Sequence, residues 1–210
     1  MEISENDFVK VEYDMYANGK LVQTTDEKKG KAENLPAEKY EPVTMIVGKG
    51  FLLKALDEDI KKNKAPEKET TLELSVSDAF GPRKREFIRT FPKSAFDEQK
   101  LRAVVGMTYD FNGMLGTVKS VSGGRVMVDF NSPFAGKDIK LTYKVAEKIE
   151  KIETKVKVVM NSVLRVPEEA YKVSVKDKIL ELGVHQQLLP LKELVEKTLQ
   201  DFIPESKDYA

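Results

Sequence analysis

The sequence has no cysteine and a single histidine, His185, among its 210 residues. Without cysteine, the chain can form no disulfide bond, thiolate metal site or cysteine nucleophile. One imidazole cannot build a multi-histidine metal site, and a lone histidine seldom marks a functional site. We therefore expect no metal and no cofactor, and we interpret His185 as an ordinary helix or loop residue.

An excess of charge of one sign is also lacking, because 35 lysine and arginine residues balance 35 aspartate and glutamate residues. No net field attracts phosphate backbones or an anionic membrane surface, so we expect neither nucleic acid nor a membrane as partner. The first residues lack the basic start and apolar run of a secretory signal, and no apolar segment is long enough to span a bilayer. The sequence therefore predicts a cytoplasmic protein, and its 40% hydrophobic content is sufficient for a folded core.

The first third of the chain carries signals for strands around one short helix. Apolar and charged residues alternate from Val9 to Tyr13, which predicts a strand with one buried face. Asn18 and Gly19 predict a tight turn, and the charged stretch 26–42 predicts a long exposed loop. A short helix packed by one face is predicted from four apolar residues at helical spacing: Leu52, Leu53, Leu56 and Ile60.

The rest of the chain predicts more strands and one final helix. Valine-rich runs at 118–121 and 126–128 flank a Ser-Gly-Gly hairpin signal, and residues 139–145 alternate as a long strand does. Alternation at 156–160 and at 171–175 predicts two further strands. A helix is predicted from Pro190 to Pro204, with one apolar stripe formed by Leu191, Leu194, Val195, Leu199 and Phe202.

Rotation about an X–Pro peptide bond is a reaction that this inventory permits. The sequence shows no recognisable motif for nucleophilic, metal-assisted or acid–base chemistry. The barrier to rotation, about 18–20 kcal/mol, arises from amide resonance, which is lost as the peptide twists. An apolar basin that favours the twisted amide, with hydrogen bonds around it, therefore needs no nucleophile.

Five blocks of this sequence resemble the successive motifs of the FKBP-type peptidyl-prolyl isomerases. They are F-V-K-V-E-Y (8–13), N-G-K-L-V (18–22), V-G-K-G-F-L-L-K-A-L (47–56), A-F-G (79–81) and V-D-F-N-S-P-F-A-G-K-D-I (128–139). The last block is the most specific, and the resemblance covers roughly residues 7–150. The spacing is similar to that of SlyD-like members, in which a flap domain is inserted after the block that usually reads A-Y-G.

The resemblance implies an α+β fold, in which an FKBP-type antiparallel sheet wraps on a short helix. It implies a discontinuous isomerase domain at 1–82 and 131–152, a small β-rich flap domain at 83–130 and a C-terminal α+β module at 153–210. It further implies isomerase activity toward unfolded or proline-containing polypeptide clients.

Two sets of site residues are implied as well. The proline basin comprises Tyr13, Val22, Gln23, Val43, Leu52, Leu53, Leu56, Phe80 and Leu141. The polypeptide-binding residues of the flap domain are Ile88, Phe91, Phe96, Met107 and Tyr109. The same side chains could instead fill ordinary cores, because exposed and core apolar residues look alike in sequence.

The basin departs from the family pattern at definable positions. Gln23 replaces the usual Asp, Phe80 the usual Tyr, and Leu141 the usual aromatic residue, while Ser132 replaces a His. One lost hydrogen bond is worth about 0.5–1.5 kcal/mol. Two functions therefore stand: a prolyl isomerase, which we favour, and a chaperone-type binding protein that keeps the fold with weak catalysis.

The C-terminal module could be a client-binding surface, an oligomerisation element or a stabilising appendage. A segment of fewer than 60 residues offers limited area to cover the stripe of the final helix. We therefore expect the stripe to pack against the isomerase domain or a second copy of the chain, and we favour a homodimer.

Overall fold

The computed structural model describes residues 2–36, 39–63, 66–176 and 179–208. The chain divides into two compact units: residues 1–73 with 140–210, here called the discontinuous unit, and residues 74–139, here called the inserted unit. The three domains expected from the sequence have other boundaries and stay a prediction. Within the described ranges, every helix is too short or too polar to cross a bilayer.

Strands and helices are mixed along the chain and the strand pairs are antiparallel, which confirms the α+β class. The strands are β1 (Phe8–Ala17), β2 (Lys20–Thr24), β3 (Val43–Ile46), β4 (Thr70–Leu74), β5 (Ile88–Pro92), β6 (Thr108–Phe111), β7 (Met114–Ser122), β8 (Arg125–Asp129), β9 (Ile139–Ile149), β10 (Tyr171–Lys176) and β11 (Ile179–Val184). The α-helices are α1 (Glu27–Ala32), α2 (Lys54–Lys62), α3 (Lys93–Glu98), α4 (Ile152–Val158) and α5 (Lys192–Phe202). Short 3₁₀-helices occupy Arg85–Phe87, Glu168–Ala170, Gln186–Leu191 and Pro204–Asp208.

The discontinuous unit is built on a five-stranded sheet of order β2-β1-β9-β4, with β3 also paired to β1. Leu141, Tyr143 and Val145 are buried at alternate positions of β9, as predicted for this strand. Helix α2 packs by Leu56, which is fully buried, and its Asp59 carboxylate accepts a 2.5 Å hydrogen bond from the Tyr143 hydroxyl. The predicted short helix is confirmed, and it begins at residue 54.

The predicted exposed loop at 26–42 contains α1, so that prediction was wrong at its start. Asp26 caps the helix, because its Oδ1 accepts hydrogen bonds from the backbone N–H groups of Lys28 and Lys29 at 2.8 and 3.1 Å. Gly30 is buried, and any side chain there would collide with the Tyr40 ring. A side-chain cap and one tertiary contact thus outweigh a weak helix propensity. Residues 37 and 38 lie outside the described residues.

The predicted strand at 156–160 is also wrong, because this segment continues α4 into a π-helix at Val159–Val163. Val156, Val159 and Met160 are all fully buried, at the three- and four-residue spacing of a helix face. The apolar residues of this segment fit the strand period and the helix period, and packing decides between the two. The predicted strand at 171–175 is confirmed as β10, which forms a hairpin with β11.

The final helix begins at residue 192, because Pro190 lies within the preceding 3₁₀-helix. Its stripe is divided: Val195 and Leu199 are buried, while Leu191 and Leu194 remain 45% and 53% exposed. The buried part belongs to a cluster contributed by both ends of the chain: Phe8, Ile46, Ile149, Ile152, Val156, Val158, Val159, Met160, Val166, Tyr171, Val195, Leu199 and Ile203. The C-terminal segment therefore shares a core with the first and third strands.

The inserted unit contains a four-stranded sheet of order β5-β8-β7-β6. Its predicted hairpin is confirmed between β7 and β8, where Gly123 and Gly124 both have the positive φ that a type I′ turn requires. Its core is small and aromatic: Phe96, Val118, Val126 and Val128 are buried, with Phe91, Leu101, Ala103, Tyr109, Phe111 and Phe130 packed against them.

Candidate functional site

Several residues of the implied basin lie on one face of the five-stranded sheet. Val43 pairs with Val11 of β1. Gln23 pairs with Met15 of the same strand. Residues directly opposite in a ladder share a face, as do residues two apart in a strand, so Val43 and Gln23 lie on the face of Tyr13.

Leu141 lies on that face too. The Nζ of Lys144 is 2.9 Å from a carboxylate oxygen of Glu12, so even-numbered residues of β1 and β9 project to one side here. Leu141 and Tyr13 therefore project to the other side. Helix α2 covers this second side, because it accepts the hydrogen bond of Tyr143. The sheet and α2 thus bring these basin residues together.

Burial distinguishes the members of the basin in the discontinuous unit. Leu53, Leu56 and Leu141 are buried, Tyr13, Val22, Val43 and Leu52 are half-buried, and Gln23 is exposed. The register of the β1–β2 pair shifts by one residue, so Val22 has no paired residue in β1. Such a bulge changes the direction in which a side chain points. We therefore expect the half-buried residues to form the accessible wall of the implied basin, with the buried leucines behind them.

The Tyr13 hydroxyl is the polar group of this wall. It donates a long hydrogen bond of 3.4 Å to the Gln23 side-chain oxygen. Burial raises the pKa of Tyr13 above its ordinary value, so the hydroxyl keeps its proton at neutral pH. The group can therefore act as a donor toward a peptide carbonyl, although the amide of Gln23 holds it more weakly than a carboxylate would.

Asp57 is a buried polar residue beside the basin that the sequence reasoning missed. It is 3% exposed, and its Oδ2 accepts a 2.7 Å hydrogen bond from the backbone N–H of Gly50. This bond ties α2 to the segment that carries Leu52 and Leu53. The sequence could have identified Asp57, because this carboxylate directly follows Leu56 in a helix that was predicted to pack by one face.

Phe80 belongs to the inserted unit, unlike the other basin residues. Its ring contacts that of Phe134 at a centroid distance of 5.1 Å. The Gly81 carbonyl accepts a 2.8 Å hydrogen bond from the backbone N–H of Gly136. Ser132, which replaces the family's His, accepts a 3.2 Å hydrogen bond from the backbone N–H of Phe134. Within its unit, Phe80 is therefore held against the last sequence block.

The five residues implied in polypeptide binding differ in accessibility. Met107 and Ile88 are 52% and 38% exposed, while Phe91 and Tyr109 are half-buried against the small core. Phe96 is 2% exposed, because α3 directs it between the Tyr109 and Phe111 rings. A side chain so buried cannot meet a client without unfolding the unit, so we leave Phe96 out of the surface.

The inserted unit exposes more large apolar side chains than sequence reasoning selected. They are Phe87, Val104, Val105, Met114, Leu115, Val121 and Met127, in addition to Ile88 and Met107. Alternation along the strands could have identified some of them, because Met127 lies between buried Val126 and Val128. Such a concentration of exposed apolar side chains is typical of an interaction surface.

Edge strands add backbone groups to this surface. Within the inserted unit, β5 and β6 each pair on one side only. Such an edge presents a row of N–H and C=O groups that can pair with an extended polypeptide, while neighbouring pockets accept its side chains.

Comparison with known proteins identifies the family of the chain. A family model described as the IF domain of FKBP26 matches residues 89–134, which lie in the inserted unit. A short-type peptidyl-prolyl cis-trans isomerase of Methanocaldococcus jannaschii is 31% identical over 147 residues, covering 69% of this chain and 93% of the relative. The FKBP-type isomerase SlyD of Helicobacter pylori is 29% identical over 108 residues, covering 50% and 58%. A probable FKBP-type 16 kDa isomerase of Pseudomonas fluorescens is 30% identical over 111 residues, covering 50% and 72%.

The chain therefore belongs to the FKBP-type peptidyl-prolyl cis–trans isomerases. The resemblance read from its five sequence blocks is confirmed.

Proposed function

We propose that this FKBP-type isomerase acts on X–Pro bonds of unfolded or partly folded polypeptides, and that its inserted unit holds the client. The observation that carries the proposal is the shared face of Tyr13, Val43 and Leu141 beneath α2, in a chain whose relatives are named isomerases. The alternative, a binding protein with little isomerase activity, is not favoured by those names. We also propose that the protein works in the cytoplasm.

The proposed mechanism uses no covalent intermediate. The planar amide is polar because of its resonance, and the twisted amide loses that resonance. An apolar wall formed by Val22, Val43 and Leu52 therefore lowers the free energy of the twisted amide relative to the planar amide, compared with water. The Tyr13 hydroxyl donates to a carbonyl of the client next to the rotating bond. These residues, with Gln23, Leu53, Leu56, Phe80 and Leu141, are the proposed basin.

The proposed flap domain is the sheet of the inserted unit, and its client surface is the exposed apolar set around Met107. We expect Val105→Ser, Met107→Ser and Leu115→Ser together to weaken binding of a permanently unfolded protein at least about tenfold, because even one apolar side chain contributes about 1.5–3 kcal/mol when a partner buries it fully. Fluorescence anisotropy of the labelled unfolded protein measures this affinity.

Ile179→Ser provides the control, since this apolar side chain is 45% exposed and lies in the discontinuous unit. The control should bind as the unchanged protein does. Equal losses in the two variants would show that the client is not held chiefly by the inserted unit, and an unchanged affinity of the triple variant would exclude this surface.

We further propose that the exposed part of the α5 stripe forms a homodimer contact. Leu191 and Leu194 are about half exposed, and the same C-terminal segment contains an apolar groove of about 460 Å³, lined by Leu180, Leu182, Val184, Leu188, Leu189, Lys192, Val195, Glu196, Leu199, Gln200 and Ser206. We expect Leu191→Glu with Leu194→Glu to raise the dimer dissociation constant at least about 10²-fold, because a two-fold axis buries each leucine twice.

Light scattering over a concentration series measures that constant. These substitutions are preferable to truncation, which would open the core shared with Phe8. Val121→Glu, with similar exposure in the inserted unit, should leave the dimer intact. A protein that remains monomeric at every concentration without any substitution would contradict the proposal.

A further inference from the structure

The segment from Val43 to Leu53 has two sides with different neighbours. Val43, Leu52 and Leu53 belong to the proposed basin. Between them, Ile46 is fully buried in the cluster that α4 and α5 contribute to, and Phe51 packs against the same cluster. Every element involved lies in the discontinuous unit. The segment therefore connects the basin wall to the C-terminal core through alternate side chains.

The last residue of α5 contacts this segment directly. The Nζ of Lys49 lies over the Phe202 ring, 5.2 Å from its centroid, which is a cation–π distance. Phe202 itself is half-buried against the cluster, next to Ile203, which is fully buried. One residue beyond Lys49, the N–H of Gly50 is held by Asp57 of α2. The turn before Leu52 is thus fixed from two helices.

We propose that the C-terminal segment supports the basin from behind. Phe202 is the positioning residue, and it sets the placement of Leu52 and Leu53 through Lys49 and Phe51. This inference rests on the proposed function, because it concerns the same basin. It gives the C-terminal segment a role in every single chain, independent of any second copy.

The test compares two variants that each shorten one apolar side chain of α5 to alanine. Phe202→Ala removes the ring under Lys49, whereas Leu199→Ala opens the same cluster at a buried residue three positions earlier in the helix. Phe202→Ala should lower kcat/KM toward a short proline peptide on the order of tenfold, because displacements of about 1 Å can cost up to about 10²-fold. Leu199→Ala should stay within about twofold, and Phe202→Tyr, which keeps a ring, should retain the rate.

Hydrogen exchange of the Gly50 amide supplies a readout that does not depend on catalysis. After correction for each variant's loss in free energy of unfolding, we expect it to accelerate in Phe202→Ala and not in Leu199→Ala, at a temperature where circular dichroism shows all variants folded. Equal effects of the two substitutions on both readouts would reduce Phe202 to ordinary core and overturn the inference. If the unchanged protein fails to accelerate cis–trans isomerisation of the peptide, the proposed function is wrong. Hydrogen exchange of the Gly50 amide then still shows whether Phe202 positions the segment.

Discussion

Joining Ile88 directly to Asp129 through a short turn, in place of residues 89–128, is expected to slow assistance to a proline-limited refolding protein by about 10²-fold. The rate on a short proline peptide should stay within about twofold. The reason is effective concentration, because a second binding site on the same chain keeps the client near the basin without changing the chemistry there. Refolding fluorescence and peptide exchange measure the two rates.

The geometry makes this replacement conservative. Ile88 and Asp129 are opposite each other in the β5–β8 ladder, so a tight turn spans them. The junction keeps the ion pair of Arg83 with the buried Asp129, and the hydrogen bonds of Asn131 to the Lys84 backbone at 2.8 and 3.0 Å. Equal losses on the peptide and on the protein would show that the removed sheet supports the basin instead of holding clients.

Restoring the family's polar groups is expected to raise the peptide rate. Gln23→Asp with Phe80→Tyr should increase it on the order of tenfold, because each restored hydrogen bond is worth about 0.5–1.5 kcal/mol, or roughly a factor of two to ten. Gln23→Asn and Phe80→Leu are the matched controls, since they change size without adding a carboxylate or a hydroxyl. A properly folded double variant with an unchanged rate would count against the assignment of Gln23 and Phe80 to the basin.

Leu141→Phe belongs in a separate experiment. Leu141 is 2% exposed, so the larger ring has to displace its neighbours, at a cost of about 1–3 kcal/mol. The free energy of unfolding should therefore fall even if the added ring improves the basin. Measuring both quantities separates an effect on catalysis from an effect on folding.

The family could be identified from the sequence because five blocks resemble the motifs of the FKBP-type isomerases in the same order. Sequence reasoning also predicted β9 and the β7–β8 hairpin, whose periodicity has one interpretation. It missed α1, which depends on Asp26 and on the packing of Gly30 against Tyr40. It assigned the wrong structure to 156–160 because Val156, Val158 and Met160 alternate as in a strand, while the same segment also has apolar residues at helical spacing.

The candidate site could likewise be predicted only in part from the sequence. That Tyr13 shares a face with Val43 follows from alternation once the strand pairing is known, but pairing and register are tertiary facts. The bulge at Val22 and the burial of Phe96 depend on the same long-range contacts. The contact between Lys49 and Phe202 joins residues far apart in the chain, and no local sequence pattern predicts it.

Exchange spectroscopy on a proline-containing peptide, with and without the unchanged protein, measures directly whether the protein catalyses prolyl isomerisation. The uncatalysed reaction takes tens to hundreds of seconds at 25 °C, so even a modest catalyst at low concentration produces a measurable exchange rate. If the protein is an isomerase, the cis–trans rate rises in proportion to protein concentration. A rate equal to that of the peptide alone, with a folded protein that still binds unfolded clients, would contradict it and leave a binding protein without isomerase activity.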